Sequence, residues 1–568
     1  MAFLQKSSNR GGDALLLRLT DLVAACWEKG TIPQDFRDAL IVSLYKNKGD
    51  KSDCSNYRGI SLLSIAGKIL ARVLLDRITP TIAKEVLPEN QCSFRAGRGT
   101  TDMVFVLRQI QEKCREQNMG LYAAFIDLTK AFDTVSREGL WKIMHKLDCP
   151  PKFLTILQQL HVGQKGQVKH TGSISEPFPI NNGVKQRCVL APTLFAIFFS
   201  MMLQEATADV TEGLYIRYRT DGGIFNLRRL QAKTKTTERN ITELLFADDC
   251  ALLAHTEEAL QLIVSRFSAA AKAYGLTISL KKTEVIYQPP PRGEYRPPSI
   301  TIDTTCLSAV HQFTYLGSVI SNDASISKDI DNRLSKASSA FGRLRKRVWD
   351  NHSLRLTTKI QVYRAVVLST LLYGSESWVL YRKQLRLLEC FHQRCLRSIL
   401  NIRWQDHITN MEVLERAQLP SIESTLLVRQ LRWTGHVSRM EDIRLPKAVL
   451  YSELCQGKRD RSGPRKRFKD QLKYQLTVAG LEAKTWETAA ADKNAWRSAV
   501  NNAAMKLSNI SKTAAMHKRA RRKESSQTSS VATSGQEFKC TTCPKICLSR
   551  IGLYQHQRAC LKAKQKGL

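Results

Sequence analysis

The chain has 568 residues, 43% of them hydrophobic, which is room for a large core and about three or four domains. Its 87 Lys and Arg against 51 Asp and Glu give a formal charge of +36, which suits a polyanion such as nucleic acid or, alternatively, a membrane surface. The longest apolar run, "VLAPTLFAIFFSMML", is only about fifteen residues and carries Pro192, so it lacks the length and purity of a transmembrane helix.

The first residues, "MAFLQKSSNRGG", hold no signal-peptide core. The 15 cysteines, mostly scattered singly, fit a reducing compartment better than a disulfide scaffold. The expected setting is therefore intracellular, nucleus and cytoplasm, with no membrane partner.

In chain order, "LLLRLTDLVAACWEKG" predicts a helix closed by Gly30, and "DALIVSLYK" a short strand. "NKGDKSDCSNYRGISLLSIAGKILARVLLDRI" predicts a polar, basic loop running into an apolar helix. "LPENQCSFRAGRGTTDMVFVLRQIQEKC" predicts a Gly/Arg-rich loop and a second helix. "LYAAFIDLTKAFDTV" opens on a strand of the fully buried type, and "NNGVKQRCVLAPTLFAIFFSMML" is a loop followed by an apolar helix. "GLYIRYRTDGGIFNLRRLQAKTK" predicts a basic hairpin around Asp221-Gly222-Gly223. "SAAAKAYGLTISLKKTEVIYQ" gives helix, turn and strand, and "PPPRGEYRPP" an extended connector.

Beyond residue 326 the pattern is helical. Ile326, Ile330, Leu334, Ala337, Phe341, Leu344 and Val348 recur at steps of three or four. Lys328, Arg333, Lys336, Arg343 and Lys346 occupy the rest, either as a solvated face or as a helix that tracks a phosphate backbone. Further helices run to about residue 505. "GKRDRSGPRKRFKD" and "HKRARRK" are basic runs of the exposed kind, and "ESSQTSSVATSGQE" is a Ser/Thr-rich linker.

One stretch resists a purely structural explanation. In "ELLFADDCALLAH", Asp248 and Asp249 are adjacent inside an apolar run. Two carboxylates about 4 Å apart repel by roughly 4 kcal/mol at an effective dielectric near 20. A hairpin turn or an N-cap would accommodate them; so would a divalent cation that cancels the repulsion. A third acid, Asp127, closes the apolar strand "AAFID" upstream. Two neighbouring strands could bring the three carboxylates together, a cluster suited to two magnesium ions and to phosphoryl transfer.

The stretches "FIDLTKAFDTV", "NNGVKQRCVLAPTLF", "LLFADDCALLAH", "GLTISLKKTEVI" and "FTYLGSVI" resemble, in order and spacing, the polymerase motifs of non-LTR (LINE-type) retrotransposon reverse transcriptases. "IVSLYKNKGDKSDCSNYRGISLLSIAGKIL" and "NQCSFRAGRGTTD" resemble the fingers motifs that precede them. The resemblance implies an α+β right-hand polymerase. Fingers are expected at 1–120, a palm with an antiparallel sheet at 121–320 and a helical thumb and connection at 321–505. A basic and Ser/Thr-rich linker at 506–537 and a zinc finger at 538–562 would follow. The implied partners are template RNA, a DNA primer (nicked target DNA in the family) and deoxynucleoside triphosphates.

By resemblance, Asp127, Asp248 and Asp249 match the metal-binding carboxylates, the second acid of the turn contributing less directly. Phe132 matches the bulky gate against a ribose 2′-hydroxyl, and Arg58 a triphosphate-binding arginine, with Lys46 a second candidate for that task. Gln186 matches a glutamine beside the nucleotide. Lys282 stands where a lysine can protonate the leaving pyrophosphate, and Asp133 reads as a structural hydrogen-bonder. Arg187 departs from the family, which usually has Gly there. Glycine permits unusual dihedrals or close backbone approach, whereas arginine puts a long cation beside the nucleotide or template. Weakened catalysis is therefore one expectation, and a decayed or repurposed nucleic-acid-binding protein the alternative. Members of the family usually carry an endonuclease upstream, so a truncated copy is also expected.

At the far end Cys540-x2-Cys543, twelve residues, then His556-x3-Cys560 has the spacing of a tetrahedral zinc site, with two thiolates on a turn and two ligands one helical turn apart. Cys547 is a spare thiol. Cys390, His392 and Cys395 lie in an apolar helical pattern and read as core or surface.

Overall fold

The computed structural model describes residues 2–47, 49–170, 172–185, 188–232, 234–459, 465–531, 538–541, 543–547 and 550–564. Gln186 and Arg187 lie outside the described residues. Helix α1 (Ala2–Lys29) stops before Gly30 and leads to β1 (Ala39–Tyr45). Next comes β2 (Tyr57–Leu62), inside a stretch that the sequence presents as loop. Its Tyr-Arg-Gly-Ile-Ser-Leu has no clean period-two alternation, and pairing with β1 decides its conformation. Helix α2 (Ile65–Ile78) is capped by Ser64, whose hydroxyl accepts the Gly67 N–H at 3.0 Å.

Helix α3 (Thr100–Glu116) is unusual. Every residue from Asp102 to Cys114 is buried, polar ones included. Strand β3 (Leu121–Ile126) follows, then α4 (Arg137–Lys146) and α5 (Pro151–Gln159). The strands β4 (Lys165–His170), β5 (Ser173–Ile174) and β6 (Phe178–Pro179) join the first sheet: β4 runs parallel to β1, which runs antiparallel to β2. The sheet thus takes strands from both sides of residue 120. Helix α6 (Ala191–Thr207) has Pro192 in its first turn, where the missing N–H costs no bond.

Strands β7 (Leu214–Tyr218) and β8 (Thr237–Ile241) pair antiparallel. The expected basic hairpin around Asp221-Gly222-Gly223 does not form: Leu227–Gln231 is a short helical turn, and the strand that returns to β7 is β8, beyond the predicted stretch. Next are β9 (Glu243–Phe246), β10 (Asp249–Ala254), α7 (Glu257–Ala273) and β11 (Glu284–Gln288). After a small hairpin of β12 (Thr301–Ile302) and β13 (Thr305–Cys306) come β14 (Ser308–Ala309), β15 (Gln312–Tyr315) and β16 (Ser318–Ser321).

The central sheet has the order β14-β11-β3-β10-β9, with β3 antiparallel to both neighbours. Alternation along its strands sorts the side chains into two cores. Ala124, Ile126, Leu252 and Val285 pack with Phe195 and Phe199 of α6 and Phe267 of α7. Ala123, Phe125, Ala251, Leu253 and Ile286 face Val106, Leu107 and Ile110 of α3 and Tyr315. With both faces covered, the strands need continuous apolar sequence, as "LYAAFI" and "CALLA" show.

Helix α8 (Ser327–Arg343) opens the C-terminal half. Ile330 and Ala337 are buried and Leu334, Phe341, Leu344 and Val348 pack beside them, as their spacing predicts. Arg333 does not decorate the surface. It is only 5% exposed, donates to the Gly317 carbonyl and lies 4.4 Å from the Tyr373 ring centroid. Helices α9 (Arg382–Ile399), α10 (Ile422–Ser438) and α11 (Leu445–Leu450) follow, then a strand, β17 (Ser452–Leu454), which pairs with β7. The C-terminal half therefore sends a strand back to the first half.

After α12 (Phe468–Ala479), α13 (Lys493–Val531) packs on α10 where Gly435 lets it approach. A Cβ at 435 would overlap the indole Nε1 of Trp496, which donates to the Leu431 carbonyl at 2.9 Å. Gly435→Ala is expected to cost about 1–3 kcal/mol; an unshifted urea midpoint would show that the indole has room to yield. The chain ends with β18 (Phe538–Lys539), β19 (Ile546–Cys547) and α14 (Arg550–Lys564). Among the described residues no helix is long and apolar enough to cross a membrane.

Candidate active site

The three acids meet at one end of the central sheet. Asp127 directly follows β3. Its N–H donates to the buried Thr283 hydroxyl at 3.3 Å, and its carbonyl accepts the Ser279 N–H at 2.8 Å. Asp248 occupies the turn from β9 to β10, made by Ala247 at a φ of 59°. Cys250 of β10 is paired with Ile126 of β3, so one step along that register sets Asp249 opposite Asp127. Directly opposed residues of an antiparallel pair have Cβ atoms about 5 Å apart.

Gln91 holds the turn, a role that no residue-level signal in "NQCSF" reveals. Its side chain is 0% exposed, its Oε1 accepts the Ala247 N–H at 3.1 Å, and its Nε2 donates to the Ala247 carbonyl at 3.4 Å. Residues 90–92 also flank β9: Leu245 N–H donates to Asn90 at 2.9 Å and Cys92 N–H to Leu245 at 3.1 Å. An unfavourable left-handed alanine persists because these neighbours over-determine it.

Crowding of the acids shows in their electrostatics. Burial, then the Asp248 and Asp127 charges, push the Asp249 carboxyl up to about 6. Burial and the Asp127 charge also raise Asp248, against the pull of its own backbone N–H, Arg58 and Lys282. Lys282 Nζ lies 2.9 Å from Asp127 Oδ2, and both side chains are substantially exposed. Carboxylates held together against their repulsion, with oxygen donors only, fit a hard divalent cation such as magnesium.

The remaining candidates surround this cluster. Phe132 stacks on Phe195 of α6, ring centroids 4.3 Å apart, and its carbonyl accepts the Val184 N–H at 2.8 Å. Arg58 is on β2 and exposed, with its charge felt at Asp248. Lys46 follows β1, its N–H donating to the Asn56 carbonyl at 2.8 Å. Asp133 is exposed, and among the described residues its carboxylate accepts no hydrogen bond; its backbone N–H bonds the Lys130 carbonyl at 2.8 Å. The expected hydrogen-bonding role of its side chain is therefore not met.

At the C-terminus, β18 and β19 form a hairpin against α14. Ligand atoms of Cys540, Cys543, His556 and Cys560 all lie within 4.8 Å of one another, and Cys543 Sγ is 3.1 Å from His556 Nε2. Cys547, on β19, is not among them. In α9, His392 and Cys395 are buried and Cys390 is exposed, and they join no metal-binding cluster among the described residues.

Residues 46–320 match the reverse transcriptase (RNA-dependent DNA polymerase) family. The matched segment resembles a reverse transcriptase domain. It contains all three acids, Lys282 and the sheet that carries them. Relatives extend the likeness beyond it. The RNA-directed DNA polymerase from mobile element jockey of Drosophila funebris is 25% identical over 410 residues, 70% of this chain and 42% of the relative. The probable RNA-directed DNA polymerase from transposon BS of Drosophila melanogaster is 23% identical over 420 residues, 72% of this chain and 43% of the relative. The chain thus spans less than half the length of these relatives. Among solved structures, telomerase from Candida tropicalis is 12% identical at a TM-score of 0.35, covering 78% of this chain and 73% of that one. The match ends at residue 320, just before α8.

Proposed function

We propose that this chain is the RNA-directed DNA polymerase of a non-LTR retrotransposon, extending a DNA primer along template RNA with deoxynucleoside triphosphates. The observation that carries this reading is the meeting of Asp127 with the Asp248-Asp249 turn on adjacent strands, inside a reverse transcriptase domain.

In this reading Asp127 and Asp248, helped by Asp249, hold two magnesium ions. Magnesium, when bound, neutralises the triphosphate and lowers the pKa of the primer 3′-hydroxyl. The chain's own groups do the rest. Arg58, with Lys46 as a second cation, draws the triphosphate toward the acids. Lys282, beside Asp127, is assigned by resemblance to give a proton to the departing pyrophosphate. The Phe132 ring, braced by Phe195, is assigned by resemblance to exclude a 2′-hydroxyl. Gln186 and Arg187 are assigned to the nucleotide and template on sequence alone. The positive excess of the chain grips phosphates without regard to sequence.

The test is extension of oligo-dT on poly-rA with magnesium and dTTP. Incorporation supports the reading, and its absence in a folded chain overturns it. Arg187 favours a second reading, a nucleic-acid-binding protein without turnover. Failure of both the natural chain and Arg187→Gly to extend, with poly-rA still bound, would establish that second reading.

The terminal cluster is proposed to hold one structural zinc ion through Cys540, Cys543, His556 and Cys560. Zinc, when bound, ties the hairpin to α14, supplying the stability that so small a module lacks. The purified chain is expected to carry about one equivalent of zinc by elemental analysis. Cys543→Ser should lose most of it, while Cys547→Ser keeps it. Equal zinc in both variants would refute this ligand set.

A further inference from the structure

The guanidinium of Arg137 is saturated by an unusual set of acceptors. It stands at the start of α4, behind Ser136, the helix N-cap. Its Nε donates to the Gly183 carbonyl at 2.9 Å. One terminal nitrogen donates to the carbonyls of His161 at 2.6 Å and Ile180 at 2.9 Å. The other donates to Gln164 Oε1 at 3.0 Å and the Asn182 carbonyl at 3.3 Å. No carboxylate takes part. A rigid planar fork is the group that can satisfy several backbone carbonyls at once.

Three of these carbonyls belong to one segment, residues 180–183, which the arginine lays against the residues that follow Asp127. Gly183 N–H donates to the Val135 carbonyl at 3.0 Å, and Val184 N–H donates to the Phe132 carbonyl at 2.8 Å. Contact is so close that a Cβ on Gly183, whose φ is +79°, would lie 2.5 Å from the Asp133 carbonyl oxygen. Just beyond, the buried Lys185 ammonium donates to the Arg37 carbonyl, anchoring the far side of the segment. The Phe132 backbone is therefore fixed by a segment that Arg137 fixes, and the Phe132 ring is fixed from behind by Phe195.

We infer that Arg137 is a positioning residue for sugar selection: by clamping residues 180–184 onto 132–135 it sets the depth of the Phe132 ring, and so the exclusion of ribonucleotides. The inference rests on the proposed polymerase reading. It makes Gly183 a second determinant, because close approach at that point is what lets Val184 reach the Phe132 carbonyl. Among the described residues, Arg137 makes no hydrogen bond to Asp127, Asp248 or Asp249.

The test measures kcat and KM for dTTP and UTP in primer extension, using the full chain and the variants Arg137→Lys, Arg137→Ala and Gly183→Ala, each checked for folding by circular dichroism. Phe132→Val serves as the reference for an open gate. Discrimination against UTP is expected to fall at least tenfold in Gly183→Ala and in each folded Arg137 variant, chiefly through a lower KM for UTP. Arg137→Lys is not expected to rescue, since an ammonium cannot span these acceptors. A merely structural role would lower both nucleotides' kcat together and leave their ratio alone. Discrimination within twofold of the natural chain in the folded variants overturns the inference while leaving the polymerase reading intact. No dTTP extension by the natural chain overturns both.

Discussion

Primer extension by Asp248→Asn is expected to fall by about 10³-fold or more, because on the proposed reading one cation ligand and its charge are removed together. The loss should be in turnover. Poly-rA binding, measured by gel shift, should stay within a few-fold, since the basic surface is untouched. Nor should the variant be less stable without metal. Asp248 is held beside Asp127 and Asp249 against their repulsion, which the amide relieves. Asp249→Asn is expected to lose less, about tenfold, as the more exposed member of the turn. Full activity in Asp248→Asn would remove the metal cluster from the mechanism, whatever the fold.

The second large effect concerns stability. Asp329, on α8, is 0% exposed. Its Oδ2 accepts from Arg108 of α3 at 2.8 Å and from the Trp378 indole at 3.1 Å, and its Oδ1 accepts the Val319 N–H of β16 at 2.9 Å. Arg333 Nε lies 3.7 Å from Oδ1. One carboxylate thus joins α8 to α3 and to the β15-β16 hairpin. Asp329→Ala leaves the buried Arg108 without its partner and is expected to cost about 3–5 kcal/mol in urea unfolding. Adding Arg108→Leu should recover part of that loss, because the stranded charge is what dominates it. A loss below about 1 kcal/mol would mean that water replaces the carboxylate.

The central sheet and its acids were legible because burial on both faces demands apolar runs, and a charged residue in such a run stands out. Asp127, Asp248 and Asp249 are visible for that reason, and so is α8 from its apolar spacing. The interior polar contacts were not. Arg333, Arg108 and Gln91 are residue types that normally read as surface, and only the fold supplies their partners. Arg95 and Arg98, in a stretch that looks like a basic loop, are turned inward onto Glu89. Strand β17 was hidden for another reason: three residues give too short a period to register among helices, and β7 decides its conformation.

Helix α3 shows why the boundary of the family match is not a place to cut. Its Asp102, Glu112 and Lys113 bond Arg444, the Phe468 N–H and the Ser452 carbonyl, and Gln117 just beyond its end bonds the Leu454 backbone. All four partners lie more than a hundred residues after position 320. A fragment ending there would turn this row of polar side chains, and the apolar surface around it, out to solvent. The matched segment is therefore smaller than the unit these contacts hold together, and residues 444–468 serve as a missing wall for α3 and the sheet it covers.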